Sequence, residues 1–358
     1  MERGVTLPEK MLAFIKRSPA PGDAGVGMAN VPTPGPRQAL VKIAACGICG
    51  SDLHTVRSDP GYEWVPTPAI IGHECAGIVA AVGEGTKLVA QGSRVVPISI
   101  QGCLHCPTCH TGATQLCPSR AILGLHYGGG LAGYTVVPEE QLVAVPDGVD
   151  LRRAALTEPL TVAVHAVLGR SNVKPASRVV VSGPGPIGLL CAQVARACGG
   201  EVLVLGAKPD TERRLVIAED LGLPTGDIES EPPEQVLRRH FGSHLPDLWF
   251  EASGAVPALA AAVDAVAPRG LITVVAMFTK PYALMVPQIL RREVTITTTY
   301  GAGAHDYLVA LQLIADGVVQ VEPLIDEFPL ARAEDAFKAA ASGQAVKPLV
   351  VAYSDLLS

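Results

Sequence analysis

Short apolar segments separated by turn residues fill the first third of the chain. In the segment VKIAACG the apolar positions Val41, Ile43 and Ala45 alternate with other residues, which is the pattern of a half-buried strand. AGIVAAVGEGT, GSRVVPI and YTVVPEEQLVAVPDGV repeat such short apolar stretches between glycine and proline turns. Turns about every ten residues are typical of an irregular β-barrel or sandwich, so we expect a β-rich domain here.

The pattern changes near Leu156. The stretch LTEPLTVAVHAVLGRS has helical spacing, and SRVVVSGPGPIGLLCAQVARACGGEVLVLGA predicts a strand, a Gly-Pro turn, an amphipathic helix and a second strand. Further apolar strands follow at PDLWFEASG, GLITVVAMF and EVTITTTYG, and we expect six strands in all between about Ser177 and Gly301. Apolar strands that alternate with helices predict a doubly wound parallel sheet.

The last segment, from His305 onward, predicts helices and one strand, KPLVVAY. It is too short to form a domain alone, so we expect it to complete the first domain. A chain of 358 residues is also too long for one ordinary core, which favours two domains. The expected fold class is therefore α/β, with a doubly wound parallel sheet inserted in a β-rich domain.

Composition and charge exclude some partners. Hydrophobic residues make up 48% of the chain and charged residues 17%, and the net charge of −6 comes without a basic run, so we expect no nucleic acid partner. No apolar stretch is long enough for a membrane span, and the start MERGVTLPEK is not a signal peptide. A cytoplasmic location follows as the expectation, in which cysteines serve as ligands or core residues.

Four cysteines lie within one loop, GCLHCPTCHTGATQLC, at the spacing C-x2-C-x2-C-x7-C. Thiolates this close are suited to a closed tetrahedral zinc site that stabilises the fold. An iron–sulfur cluster also takes four thiolates, but its usual short spacings differ from the seven-residue gap. Four unrelated loop cysteines are the plain alternative, and His105 and His110 rank second as ligands. The predicted ligands are Cys103, Cys106, Cys109 and Cys117.

A second candidate metal set is dispersed along the chain. Cys49 lies in CGSDLH, His73 and Glu74 are adjacent in GHEC, and Glu158 precedes a proline in LTEPL. A mixed shell of sulfur, nitrogen and oxygen with an open position is the pattern of catalytic zinc. Each residue alone would be an ordinary core or surface residue, so only the combination favours a metal.

The segment VVVSGPGPIG contains a G-x-G-x-x-G motif that follows an apolar strand and opens a helix. This is the context that a dinucleotide-binding turn requires, with the pyrophosphate at the helix N-terminus. We expect a Rossmann domain. The predicted cofactor contacts of the turn and of the strand beside it are Gly183, Gly185, Pro186, Ile187, Gly188 and Ser253.

The end of the second strand bears on the choice of cofactor. NAD sites usually have an acidic residue there for the ribose hydroxyls, whereas this chain has Gly206, followed by Lys208, Arg213 and Arg214. These cations could pair with a 2′-phosphate, which favours NADP over NAD. In the alternative the cations are surface charges, and NAD is held by weaker contacts or by Asp210.

Five motifs occur together and in order: CGICGSDLH, IIGHECAGIV, GCLHCPTCHTGATQLC, LTEPLTVAVHAV and VVVSGPGPIGLL. With them the chain resembles the zinc-dependent medium-chain dehydrogenase/reductases, in particular the sorbitol (polyol) and threonine dehydrogenase branch, from about Lys10 to Tyr353. The resemblance implies a GroES-like catalytic domain at 1–168 and 303–358, a Rossmann domain at 169–302, and a homodimer or homotetramer.

The resemblance also implies roles for the polar residues. Cys49, His73 and Glu74 would hold a catalytic zinc, with Glu158 as a ligand directly or across a water. Ser51 and His54 would relay the alcohol proton to solvent, and Asp52 would orient His73. The four loop cysteines would hold a second, structural zinc.

The function implied is hydride transfer between the CH–OH carbon of a small polar alcohol and NAD(P)+. Candidate substrates are polyols, sugars, diols, cyclitols and hydroxy amino acids. The alternatives are an NADPH-dependent reductase of a carbonyl or enone, and L-threonine 3-dehydrogenase. Gly133 and the segment Gly92-Ser93-Arg94-Val95 depart from the usual family residues and leave the substrate open. We expect the pocket near Ser51, Trp64, His126 and Glu158.

Overall fold

A computed structural model describes residues 7–208 and 210–357, which form two compact units. The first unit contains residues up to 158 together with 303–315 and the segment from 325 onward, and the second contains 159–302 and 316–324. Within the described chain no helix is long and apolar enough to cross a membrane.

The strands and helices follow the chain in this order. The strands are β1 Lys10–Lys16, β2 Ala24–Asn30, β3 Gln38–Gly47, β4 Ala69–Ile70, β5 Glu74–Val82, β6 Arg94–Pro97, β7 Ile100–Gln101, β8 Ala121–Ile122, β9 Tyr134–Pro138, β10 Leu142–Ala144, β11 Arg178–Ser182, β12 Glu201–Gly206, β13 Thr225–Asp227, β14 Leu248–Glu251, β15 Leu271–Val274, β16 Thr295–Thr298, β17 Ile325–Pro329 and β18 Lys347–Val351. The α-helices are α1 Gly50–Arg57, α2 Pro107–His110, α3 Leu151–Ala154, α4 Thr157–Val164, α5 Pro186–Ala197, α6 Arg214–Asp220, α7 Pro233–Phe241, α8 Val256–Ala265, α9 Val286–Leu290, α10 Ala304–Ala315 and α11 Ala333–Ser342.

The first unit is β-rich, as predicted. Its main sheet has the strand order β10-β6-β5-β3-β18-β17, with β9 paired to β3. Strand β18 comes from the end of the chain and pairs antiparallel with β3, so the last segment completes the first domain. The core between these strands and α11 is apolar, and it includes a stacked pair, Phe14 and Phe337, whose ring centroids lie 4.3 Å apart.

The second unit contains one parallel sheet in the order β13-β12-β11-β14-β15-β16. This is the doubly wound order in which a dinucleotide binds at the carboxyl ends of the central strands. The sheet has six strands, as expected: the five segments named from the sequence and, as the sixth, the short β13. Strands β11 and β12 are buried because helices cover a parallel sheet on both faces. The predicted fold class, a Rossmann sheet with a β-rich GroES-like domain, is confirmed.

Two segments lie in the second unit although the sequence placed them in the catalytic domain. Residues 159–168 continue α4 into a π-helical turn, His165–Gly169, next to α5. Residues 316–324 are held there by a buried amide: Gln193 Nε2 donates to the carbonyl of Gln320 at 3.1 Å, and the Gln320 N–H donates back to Gln193 Oε1 at 2.8 Å. A paired amide of this kind leaves no periodic signal in the sequence. The domain limits at 168, 169 and 303 stay a prediction.

Candidate active site

Helix α1 begins immediately after Cys49, and a buried carboxylate fixes that beginning. Asp52 Oδ2 accepts a hydrogen bond from the Cys49 N–H at 2.9 Å, and its Oδ1 accepts one from the Gly72 N–H at 3.2 Å. Asp52 is fully buried, and burial raises its pKa. One carboxylate therefore ties the segment that carries Cys49 to the segment that carries His73.

His73 lies between two polar groups of α1. Its Nε2 is 3.4 Å from Ser51 Oγ, and its Nδ1 is 3.8 Å from Asp52 Oδ1. Burial by itself would lower the pKa of His73, but Asp52, a hydrogen bond to Cys49 and the charge of Glu158 raise it well above its usual value. A buried imidazole that attracts a proton this strongly marks a site with an excess of negative charge, which suits a bound cation.

Glu158 is the next buried acid of this site. Its Oε1 accepts a hydrogen bond from Ser99 Oγ at 2.8 Å, and Ser99 in turn contacts the hydroxyl of Tyr307, at 2.9 Å from its N–H and 3.1 Å from its Oγ. All three side chains are buried, and burial raises the pKa of Glu158. Sequence reasoning missed Ser99 and Tyr307, which lie 208 residues apart.

The carboxylate of Glu74 is paired with a lysine that the sequence analysis did not predict. Lys347 Nζ donates to Glu74 Oε1 at 2.6 Å and also contacts Oε2, and it donates to the Ile48 carbonyl at 3.0 Å. Gly47 makes room for this carboxylate, because a Cβ there would lie 2.2 Å from Glu74 Oε2. The zinc-ligand role of Glu74 stays a prediction, and a buried lysine is added to the site.

The four loop cysteines come together. Their sulfur atoms all lie within 4.8 Å of one another, with Cys103 and Cys109 at 4.0 Å and Cys106 and Cys117 at 3.8 Å. A zinc–sulfur bond of about 2.3 Å in a tetrahedron gives sulfur–sulfur edges of about 3.8 Å, so the cluster fits the ion. In the part of the chain that the structure describes, no other three or more His, Cys, Asp or Glu residues bring their ligand atoms this close together. The ligand atoms of the second predicted set, Cys49, His73, Glu74 and Glu158, therefore lie farther apart than the four sulfur atoms.

Backbone amides point at these sulfur atoms. The N–H groups of Cys103 and Ser119 donate to Cys117 Sγ at 3.4 and 3.3 Å, and the Cys109 N–H donates to Cys106 Sγ at 3.4 Å. A hydrogen bond from the His105 backbone lowers the pKa of the Cys103 thiol to about 6. Such donors favour thiolates, the form that binds metal. The side chains of His105 and His110 lie outside this ligand group.

The glycine turn has the shape that a pyrophosphate requires. Gly183 has a φ of 93°, and a Cβ there would lie 2.7 Å from the Ser253 backbone, while a Cβ on Gly188 would lie 1.9 Å from the Gly183 carbonyl. Gly185 precedes α5, and apart from its own chain neighbours no heavy atom of the described residues lies within 4 Å of the place where its Cβ would stand. The turn leaves open space at a helix N-terminus, which fits a dinucleotide.

The cations that are predicted to contact a 2′-phosphate differ in their surroundings. Arg214 is paired with Asp210, at 2.9 Å between Nη1 and Oδ1, whereas Lys208 is exposed. Gly206 lies in register with Asp227, whose carboxylate accepts hydrogen bonds from Ser230 and from the Glu229 N–H. These bonds, and to a smaller degree Lys208, lower the pKa of Asp227. Sequence reasoning missed this acid because the adjacent strand supplies it.

Aromatic rings lie next to α1 and the loop that follows it. His54 stacks on Tyr62 with ring centroids 5.3 Å apart, and Trp64 lies over His126 at 4.5 Å. The Ile122 N–H donates to His126 Nδ1 at 3.1 Å, so the proton of the neutral imidazole is on Nε2. Trp64 is half exposed, with its indole N–H bonded to the Gly61 carbonyl.

Comparison with known protein families shows which family the chain belongs to. The family described as "Alcohol dehydrogenase GroES-like domain" matches residues 35–147, and the one described as "Zinc-binding dehydrogenase" matches residues 186–316. The chain belongs to the zinc-type medium-chain dehydrogenase/reductases. As a member of this alcohol dehydrogenase superfamily it is an oxidoreductase that acts on alcohols with zinc and a nicotinamide cofactor, so the predicted reaction class is confirmed.

Relatives within the superfamily act on sugar alcohols, as their names state. The chain is 33% identical to a sorbitol dehydrogenase of Halalkalibacterium halodurans, over 95% of this chain and 99% of that protein. It is 31% identical to a D-arabitol-phosphate dehydrogenase of Enterococcus avium, over 90% and 92%.

Solved structures of dehydrogenases match 96% of this chain. A zinc-binding dehydrogenase from Sinorhizobium meliloti 1021 bound to NADP has a TM-score of 0.87 at 28% identity, over 96% of this chain and 100% of that one. An alcohol dehydrogenase from E. coli CFT073 complexed with NADH has a TM-score of 0.86 at 28% identity, over the same shares. Both forms of the cofactor therefore occur on this fold.

Proposed function

We propose that this dehydrogenase oxidises a secondary alcohol of a small polyol, sugar or sugar-derived substrate with NAD(P)+. The observation that supports this most is the buried negative site around His73, where Ser51 Oγ lies 3.4 Å from Nε2 and the acids Asp52 and Glu158 raise the pKa of the ring. The names of the relatives favour a polyhydroxy substrate.

Cys49, His73 and Glu74 would hold the catalytic zinc, with Glu158 as a ligand directly or across a water. His73 would present Nε2 to the ion, because Nδ1 is the nitrogen on the side of Asp52. When bound there, zinc would supply a Lewis acid that lowers the pKa of the alcohol. Lys347 limits the negative charge of Glu74, and Ser99 with Tyr307 holds Glu158 in place.

The side chains of α1 would remove the alcohol proton. Ser51 Oγ is beside the metal-facing nitrogen of His73, so it is the hydroxyl placed to accept that proton. His54, one turn further along α1, is partly exposed and would pass the proton to solvent. The carbinol hydride would go to the nicotinamide ring, which gives a carbonyl product and NAD(P)H.

The cofactor would lie on the turn from Gly183 to Gly188, and we favour NADP over NAD. The support is the absence of a carboxylate at Gly206 and the exposed ammonium of Lys208, with Arg213 as a further cation. Arg214 is engaged by Asp210, and Asp227 lies beside Gly206. The 2′-phosphate contact would therefore rest on Lys208 more than on Arg214.

The loop cluster of Cys103, Cys106, Cys109 and Cys117 would hold a second zinc with a purely structural role. Four sulfur ligands fill the tetrahedral shell and leave no position for a substrate.

We also propose that the enzyme is a homodimer or homotetramer. Strand β16 is the edge of the parallel sheet, and the exposed apolar residues Met285 and Leu290 of the segment before it are 63% and 69% exposed. An unpaired edge next to exposed apolar residues is a surface that a second copy would cover.

A substrate screen tests the proposal. The purified enzyme is assayed with polyols, vicinal diols, cyclitols and threonine, with NAD+ and NADP+ side by side. We expect the highest kcat/KM for a polyol with NADP+. A clear preference for NAD+ would contradict the assignment of Lys208, and turnover confined to NADPH-dependent reduction of an enone would contradict alcohol oxidation.

A further inference from the structure

His54, the last group of the proposed proton relay, forms a short contact with a carboxylate that the family motifs do not include. Its Nδ1 lies 2.7 Å from Asp59 Oδ2. We propose that Asp59 is a positioning residue that fixes the tautomer and the ring orientation of His54. This inference rests on the relay role of His54 given above.

The chemistry of the pair decides which nitrogen carries the proton. An ionised carboxylate has only acceptors, so the hydrogen of this short bond must belong to Nδ1 of His54. Neutral imidazole has one N–H and one lone pair, which places the lone pair on Nε2. The relayed proton therefore enters at Nε2, and the imidazolium keeps its Nδ1–H bond to Asp59 until Nε2 releases the proton to solvent.

The backbone fixes Asp59 in this position. Helix α1 ends at Arg57, and the next residue, Ser58, has a φ of 55°. The chain then folds back so that the Asp59 N–H donates to the His54 carbonyl at 3.0 Å. The Asp59 carbonyl accepts the N–H of Tyr62 at 3.1 Å, and the Tyr62 ring lies over the imidazole at an interplanar angle of 20°. The same turn thus supplies the carboxylate at the edge of the imidazole and an aromatic ring against its face.

Exposure suits a group that exchanges protons with solvent. The side chains of His54 and Asp59 are 29% and 35% exposed, in contrast to the buried pair of His73 and Asp52. Helix α1 therefore contributes one member to each of two imidazole–carboxylate pairs, Asp52 to the first and His54 to the second. In one of them Asp52 lies beside a buried ring that would bind metal, and in the other Asp59 lies beside a ring with access to water.

The test replaces the carboxylate and reads the ring directly. Ring 15N shifts of histidine-labelled full-length protein are recorded for wild type and for Asp59→Asn, with His54→Gln used to assign the His54 signals. We expect the Nδ1–H tautomer in the wild type and a mixture of tautomers in the variant. An unchanged, fully Nδ1-protonated ring in Asp59→Asn would overturn the proposal.

Kinetics supply the second readout. We expect Asp59→Asn to lower kcat for alcohol oxidation about tenfold with KM unchanged. This loss is smaller than the roughly 10²- to 10⁴-fold that a general acid–base group itself contributes, because Asp59 acts only through His54.

A matched control separates orientation from loop folding. Glu63→Gln removes another carboxylate of the same loop, one that accepts the Gly61 N–H at 2.7 Å. This variant should leave the tautomer of His54 and kcat unchanged. Asp59→Glu should restore part of kcat. If Glu63→Gln lowers kcat as much as Asp59→Asn, the effect belongs to the loop and the proposal is wrong. If the wild type oxidises no alcohol, the proposed function fails, whereas the ring spectrum still decides whether Asp59 orients His54.

Discussion

Lys347 Nζ lies 2.6 Å from Glu74 Oε1 in the interior of the first unit, and both side chains are almost fully buried. The pair exists because β18, from the end of the chain, lies against β3, and β3 pairs with the strand that Glu74 begins. Glu74 follows His73 directly, so a buried cation compensates the acid next to a predicted metal ligand.

Replacing Lys347 tests how much the fold depends on this pair. In Lys347→Met the Glu74 carboxylate stays buried without its partner, and we expect a loss of about 3–5 kcal/mol in the free energy of unfolding. Urea denaturation of the purified protein measures it. In the double variant Lys347→Met/Glu74→Gln much of this loss should return, because no uncompensated charge remains. Equal stability of Lys347→Met and wild type would show that the pair is not needed.

The loop cluster should bind zinc independently of the catalytic residues. Cys103→Ser removes one of four sulfur ligands, so we expect the loss of one zinc per chain in metal analysis and a lower Tm. The matched control is Cys198→Ser, a half-buried cysteine outside the cluster, which should keep the full zinc content. Retention of all zinc in Cys103→Ser would contradict the structural site.

The buried carboxylate of Glu139 should make the free energy of unfolding depend on pH. Glu139 accepts the N–H groups of Leu88 and Lys87, both at 2.6 Å, and its pKa is lowered by these bonds and by Arg37. A folded pKa below the unfolded value of about 4.3 means that the contribution to stability is full above that pH. It is lost as the pH falls through the folded value.

The measurement is the urea midpoint of wild type and Glu139→Gln over a pH series. We expect the variant to be less stable at neutral pH and the difference to shrink below about pH 4. Glu84→Gln, a change at an exposed acid of the same unit, serves as control. A difference that stays constant across the series would show that ionisation of Glu139 contributes nothing.

The sequence predicted the parts of this molecule that leave a local pattern. The strands of the parallel sheet are continuous apolar runs, the glycine turn has fixed spacing, and the cysteine cluster lies within one loop. Each of these can be read within about 30 residues, the length of a single βαβ unit. For these features the structure adds positions and distances.

Contacts between distant segments could not be predicted in this way. Lys347 and Glu74 are 273 residues apart, and Tyr307 and Ser99 are 208 apart, so their pairing depends on strand order and helix placement. In the sequence, the only indication of the pair of Lys347 and Glu74 is a lysine at the start of an apolar strand, KPLVV. Asp59 is close to His54 in sequence, but a left-handed residue at the end of α1 brings the two together. A turn of this kind leaves no hydrophobic periodicity in the sequence, so the contact could not be predicted from it.

The central claim is that a metal site at Cys49 and His73 activates a small polar alcohol for hydride transfer. The most direct measurement compares wild type with Cys49→Ser for two quantities, zinc per chain and alcohol-dependent formation of NAD(P)H, with Cys198→Ser as control. The account predicts that Cys49→Ser keeps the structural zinc, loses the other one and loses turnover, while the control keeps both. A Cys49→Ser enzyme that retains full zinc and full rate would contradict it.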